Sequence, residues 1–271
     1  MRTMMTSTVD VPRAGDRRVL HTGPLIRRNL RVYRHSWTII VASLLEPVMY
    51  LLSIGVGVGQ LIGTVPGVSG QAGSYAQYVG AGLLATASMN AAFGETTFTA
   101  FSRLRSELAY DAMITTPLDP ADIGVGETMW AAIRGLIAGT GFLIVLAVLG
   151  LVRSPWALLV VPGTLLVGFT FGALGLLAMT FVRHWQHFQL LQLVMLPMFL
   201  FATTFYPLTV YPDALRLPIS CLPLYPSIEL LRGLVLGQVG PGLLGPVAYL
   251  VVVGVVALAI ATRRLRAILI H

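Results

Sequence analysis

Apolar stretches of about eighteen residues or more recur along the chain, and as a helix each is long enough to cross a hydrocarbon core of about 30 Å. Such stretches leave little room for any other solvent than lipid. The rest of the composition agrees: 56% of the residues are hydrophobic and 11% charged, against roughly 25% charged in soluble domains. The fold class expected is an all-α integral membrane protein in one polytopic domain. Six spans are read at about 37–62, 75–97, 128–152, 156–181, 188–206 and 243–262.

The segment before the first span divides in two. Residues 1–23 mix Thr, Ser, Gly, Pro, Asp and Arg without periodicity and read as a disordered tail, with several early Met residues leaving the start codon open. From there to the end, 24–271, runs the membrane domain. Ile26, Leu30, Tyr33 and Trp37 fall on one helical face while Arg27, Arg28, Arg31 and Arg34 occupy the rest, the pattern of an amphipathic helix in the headgroup layer or of a positive flank that orients the first span. The first apolar stretch starts too far in, and is too long, for a cleaved signal, so it is expected to stay as an anchor.

Within the first span, Glu46 precedes Pro47. A carboxylate at that depth faces protein or water, and Pro47 removes a helix hydrogen bond. Glu46 is therefore expected to face inward, bonding a neighbouring helix or contacting a bound molecule. The second span is rich in small residues (Gly80, Gly82, Ala85, Ala87, Ser88, Ala91, Ala92) that allow close helix packing. After it comes a charged amphipathic piece, with Phe98, Phe101, Leu104 and Leu108 on one side and Arg103, Glu107 and Asp111 on the other; Arg103 and Glu107 are spaced as i,i+4 partners. TTPLDP stops that helix at Thr116, and Asp122 and Glu127 lead into the third span. Arg134 follows two turns later, shallow enough to reach the headgroups, in a salt bridge or on a lipid phosphate. Gly168, Gly172 and Gly175 form a packing stripe in the fourth span, and Pro197 is placed to kink the fifth. The segment 206–237 is apolar, yet Pro207, Pro212, Pro218, Pro223 and Pro226 forbid one continuous spanning helix. Short helices that dip into one leaflet fit it.

Several chemistries are excluded. There is no Lys anywhere, so no P-loop can form, because that motif needs its Lys on the nucleotide phosphates. The lone Cys221 allows no internal disulfide. His184 and His187 have no third ligand within sight, so no metal is expected. Placing both termini in the cytoplasm puts Arg27, Arg28, Arg31, Arg34, Arg103, Arg105, Arg183, Arg263, Arg264 and Arg266 inside and only Arg153, Arg216 and Arg232 outside, as the positive-inside rule asks.

Three stretches resemble the ABC-2 type transport permeases, in particular the branch of lipo-oligosaccharide (nodulation-factor) and daunorubicin-type drug exporter permeases. They are the span–amphipathic helix–span run from Tyr75 to about Arg134, the Glu46-Pro47 of the first span with its Gly-rich second half, and the Phe-Tyr-Pro, Leu-Pro, Pro-x-x-Glu-x-x-Arg-Gly pattern around Tyr206, Pro207, Pro226, Glu229 and Arg232. The resemblance covers the chain from about Leu25 to its end. It implies a bacterial plasma-membrane permease without a nucleotide site of its own, working as a 2+2 assembly. Two permease units, identical or related, would pair with two separate ATP-binding subunits that bind ATP and Mg. It further implies that residues 103–116 form the coupling helix, with Arg103, Arg105, Glu107, Tyr110, Asp111, Thr115 and Thr116 toward the ATPase. Spans 1, 2 and 5 would line a pathway for an amphiphilic drug, lipid or lipid-linked saccharide, with Glu46, Asn90, Phe199, Phe201 and Phe205 facing it. The residues around Tyr206 to Arg232 would be re-entrant before span 6. An ATP-independent secondary transporter or channel is the alternative; it would show charged residues clustered at midplane, where only Glu46 qualifies.

Overall fold

The structure, a computed structural model, describes residues 37–59, 75–105, 120–152, 154–182 and 184–269. The basic helix with Arg27, Arg28, Arg31 and Arg34 lies outside these residues, as do Glu107, Tyr110, Asp111, Thr115, Thr116 and the side chain of Arg105. All regular structure among the described residues is helical.

Helix α1 spans Trp37–Tyr50 and continues as a wider π-helical stretch, Leu51–Val58. This begins one turn after Pro47, which has no N–H to donate to the ladder. Helix α2, Tyr75–Gly94, passes through a π-helical turn, Glu95–Thr99, into a short α3, Ala100–Arg105. Helix α4, Pro120–Val148, starts about two turns before the span read at about 128. Proline suits a first helical position, and Asp122 sits in the first turn, where the helix dipole favours a carboxylate. After a 3-10 turn at Pro155–Leu159, capped by Ser154 Oγ accepting the Trp156 N–H at 3.2 Å, comes α5, Val160–Met179. Helix α6 is Phe188–Phe201, shorter than its apolar run because the chain opens at Ala202. Helices α7, Asp213–Ser220, and α8, Leu224–Leu236, meet at 83°, and α9 is Leu244–Leu269.

Ala121–Val148, Pro155–Met179 and Pro241–Leu269 are the stretches, among the described residues, that are long and apolar enough to cross a membrane, with a fourth if α7 and α8 are one bent span. Helix α2 is buried nearly all round, which is why its residues are small rather than greasy. Lipid selects for apolar bulk, whereas helix–helix contact selects for close approach.

The core is α4 laid against α5, with α2 across both and α9 on the far side of α5. The glycine stripe of α5 makes this possible. A Cβ on Gly168 would lie 2.9 Å from the Ala132 carbonyl and 3.2 Å from the Gly135 Cα, and one on Gly172 would lie 2.8 Å from the Ala131 Cβ. Hydroxyls stitch the contact: Ser88 Oγ donates to the Thr164 carbonyl and Thr170 Oγ1 to the Leu250 carbonyl, each at 3.0 Å. Because backbone faces Gly168, Gly168→Val must push α4 and α5 away from each other. It should cost about 3 kcal/mol, the upper end for overpacking. Gly245→Val, where a Cβ meets nothing within 4 Å, should stay within about 0.5 kcal/mol. Thermal unfolding of the two purified variants decides; equal midpoints would remove the close-packing argument.

Candidate functional site

Helices α1, α2 and α6 enclose a cavity of about 430 Å³, lined among others by Glu46, Tyr50, Asn90, Glu95, Phe98, Arg134, Gln192 and Phe199. A second recess of about 240 Å³ adjoins it, sharing Glu46, Asn90, Gly94, Phe98, Gln192 and Met195 and adding Phe188. The two form one cleft along α6. Glu46, exposed, and Pro47, buried beside it, both line the cavity.

The cleft has two kinds of polar group. Glu46, Asn90 and Gln192 are exposed to it, and their side chains have no hydrogen-bond or ion-pair partner among the described residues. They are donors and acceptors still open to a guest. Glu95 and Arg134, by contrast, belong to a closed network. Arg103 Nη1 lies 2.5 Å from Glu127 Oε2 and its Nη2 3.6 Å from Glu95 Oε1; Arg134 Nε is 3.7 Å from Glu95 Oε2; and the Trp130 indole N–H donates to Glu95 Oε1 at 3.1 Å. All five side chains are buried. Two carboxylates and two guanidiniums leave the cluster formally neutral, which is how ions persist away from water. The widened turn Glu95–Thr99 re-aims Glu95 from the cleft wall toward α4, the kind of displacement a π-bulge produces.

Aromatic rings line the rest: Phe98 stacks on Phe188 with centroids 4.5 Å apart, and Tyr50 lies 5.6 Å from Phe199. Behind them, Phe101 meets Phe188 edge-on at 5.1 Å and Phe205 meets Phe199 edge-on at 5.2 Å.

Of the residues expected from the sequence to share a site, Glu46, Asn90 and Phe199 do meet in the cleft. Phe205 is buried behind Phe199. Phe201 turns to the other side of α6, into an apolar groove against α7 that includes Pro197, Leu215 and Pro218. Arg103 differs from the solvated position expected of it: it is buried against Glu127 and Glu95. Arg134 takes the salt-bridge alternative expected of it, pairing with Glu95 inside the protein and not with a headgroup. Of the residues around the Pro-rich segment, Tyr206 is exposed, Pro207 and Glu229 are half-buried, and Pro226 and Arg232 are buried. Glu95 and Gln192 line the cleft without being among the residues expected there from the sequence. An amide inside an apolar run, and a carboxylate eight residues before an arginine on one helical path, are the signals that pointed to them.

The profile of a family described as ABC-2 type transporter matches residues 22–236. Nodulation protein J of Rhizobium leguminosarum bv. viciae is 36% identical over 214 residues, which are 78% of this chain and 81% of the relative. Nodulation protein J of Rhizobium meliloti (strain 1021) is 32% identical over 214 residues, 78% of this chain and 80% of the relative. The protein of that name from Sinorhizobium fredii (strain NBRC 101917 / NGR234) is 32% identical over 218 residues, 80% of this chain and 81% of the relative.

Proposed function

The chain belongs to the ABC-2 type transporter family, and from that premise we propose that it is the permease subunit of an ATP-driven exporter with six spans and both termini in the cytoplasm. Two such units, identical or related, sit in the bacterial plasma membrane with two separate ATP-binding subunits, which hold the ATP and Mg. The cargo is an amphiphile, a drug, lipid or lipid-linked saccharide, moved outward from the cytoplasm or inner leaflet. The observation that supports this best is the cleft between α1, α2 and α6, where unpartnered Glu46, Asn90 and Gln192 face aromatic and aliphatic walls. A mostly apolar space with a few open polar groups fits a molecule that has both a polar head and an apolar body.

Force would enter through residues 103–116. Arg103, at the start of that stretch, is ion-paired to Glu127 of α4 and to Glu95 on the cleft wall, so a push on this piece moves α2 and α4 together. The bent α7–α8 pair would be the re-entrant element that closes the outer end of the pathway.

The test is to purify the protein with a candidate ATP-binding subunit, one encoded beside it if there is one, and follow ATP hydrolysis in lipid, with and without candidate amphiphiles. A stable complex with stimulated hydrolysis is expected. The doubly reversed Glu107→Arg/Asp111→Arg should lose at least about tenfold of transport, since an interfacial charge contact broken on one side costs about 2 kcal/mol or more, while inserting normally. Failure to bind any ATPase would turn the reading to a secondary transporter or channel. Within the cleft, Glu46→Gln and Gln192→Leu should each change cargo stimulation by about threefold to tenfold, the worth of one hydrogen bond, without altering basal hydrolysis; unchanged stimulation in both would remove the cleft from the pathway.

A further inference from the structure

At the end of the protein where the apolar run of α9 gives way to Arg263, Arg264 and Arg266, a recess of about 240 Å³ is walled by Leu104, Met179, Val182 and Ile268, with Thr180, Phe181 and Arg264 at its rim. Arg264 is held in place there. Its Nε donates to Thr180 Oγ1 at 3.0 Å, and its guanidinium carbon lies 3.8 Å from the centroid of the Phe181 ring. Those two contacts fix the plane of the group and use one of its five N–H donors. The terminal amino groups, with the other four, have no protein partner among the described residues. Among the described residues no carboxylate lines the recess.

Below Arg264 on the same ridge of α9 lie Ile260, Val256 and Val252, spaced four residues apart and all exposed. From Val252 to Arg264 the helix rises roughly 18 Å at 1.5 Å per residue, close to the depth of one leaflet of a core about 30 Å thick. A fixed guanidinium whose terminal donors have no partner among the described residues therefore stands at the head of an open apolar track one leaflet long.

We propose that this is a binding site for an anionic phospholipid, its phosphate held in a charge-assisted fork by Arg264 and one acyl chain lying along Ile260, Val256 and Val252. A pre-set guanidinium suits a phosphate oxygen pair, and basic pockets at helix ends of membrane proteins take such headgroups. The apolar walls favour a lipid over a free phosphate ion. The exposed Arg263 and Arg266 add attraction without forming the site. The proposal depends only on the chain lying in a membrane, so it stands or falls apart from the transport reading.

The experiment uses the full chain in neutral detergent with added phosphatidylglycerol, phosphatidylcholine of the same acyl chains, or inorganic phosphate, and reads retained lipid by native mass spectrometry beside the unfolding midpoint. Wild type should retain phosphatidylglycerol and melt several degrees higher with it, while phosphatidylcholine and millimolar phosphate do neither. Arg264→Gln should lose about tenfold of that retention, the value of a charge-assisted hydrogen bond in the 1.5–3 kcal/mol range. Arg266→Gln removes the same net charge away from the recess and should lose less than about twofold. Arg264→Lys should fall between wild type and Arg264→Gln, since an ammonium keeps the charge but not the fork. Equal losses for Arg264→Gln and Arg266→Gln would mean a diffuse basic surface and overturn the site. So would equal retention of the two lipids, or displacement of phosphatidylglycerol by millimolar phosphate. Should Arg264→Gln melt early without lipid, Thr180→Val, which removes only the contact that fixes Nε, supplies the second reading; it should weaken phosphatidylglycerol retention about threefold, and an unchanged value would count against the proposal.

Discussion

Glu95→Ala is expected to lower stability by about 3–5 kcal/mol, because it removes one member of a buried, hydrogen-bonded ion network. The carboxylate stands between the Arg103 and Arg134 guanidiniums and accepts from the Trp130 indole, so its loss unbalances charges that are already away from water. Glu95→Gln keeps an acceptor for the indole but not the charge and should lose less. The unfolding midpoints of the purified variants give the comparison. In a cycle with Arg134→Ala, the double variant should be less damaged than the sum of the singles, by about 1 kcal/mol or more, as for residues that share a network. Additive losses would mean that Glu95 and Arg134 act separately. On the proposed exporter function, and with stability restored by lipid, Glu95→Gln should also blunt the response of hydrolysis to cargo, since the same carboxylate lines the cleft and pairs with Arg103; a normal response would confine Glu95 to a structural role.

The second large effect belongs to Arg232. Its guanidinium lies 3.7 Å from the centroid of the Tyr78 ring, and its Nη2 donates to the Thr203 carbonyl at 2.8 Å. The Tyr78 hydroxyl donates to the same oxygen at 3.2 Å. Thr203 itself has φ of 64°, a left-handed backbone seldom adopted by a β-branched residue, which persists only where its surroundings hold it. Arg232 and Tyr78 are those surroundings, tying the opened chain after α6 to α8 and α2. Arg232→Ala should cost about 3 kcal/mol, from a desolvated cation–π contact and a charged hydrogen bond lost together, and should expose residues 202–206 to protease. Thr203→Gly, which relieves the backbone, should return some of that stability. Arg232→Ala with wild-type melting and protease resistance would show that the clamp holds nothing.

The helical membrane class was legible in the apolar runs, and the packing stripe of α5 in the spacing of Gly168, Gly172 and Gly175, because both depend on local periodicity. Helix ends were legible only where a residue forces them. The stop after Thr116 is read from Pro117, but α4 begins at Pro120, ahead of the span read at about 128, and nothing local marks Ala202 as the last turn, since Thr203 is turned by contacts from α2 and α8. The cleft was half readable: Glu46 and Asn90 stand out as polar groups in apolar runs. That Phe201 faces away while Phe199 faces in was not readable from an aromatic run whose rotation is set by tertiary contact.

What the sequence determined by itself is the solvent, the helical class, the absence of a P-loop and the family, because these follow from composition, run length and motifs that need no partner. What only the tertiary structure decided is which charges meet. The spacing of Arg103 and Glu107 suggests an i,i+4 pair, and Glu107 lies outside the described residues; the fold also sets Arg103 against Glu127, twenty-four positions away along the chain. A buried ion must find its counter-ion wherever packing puts one, and no local spacing rule specifies that.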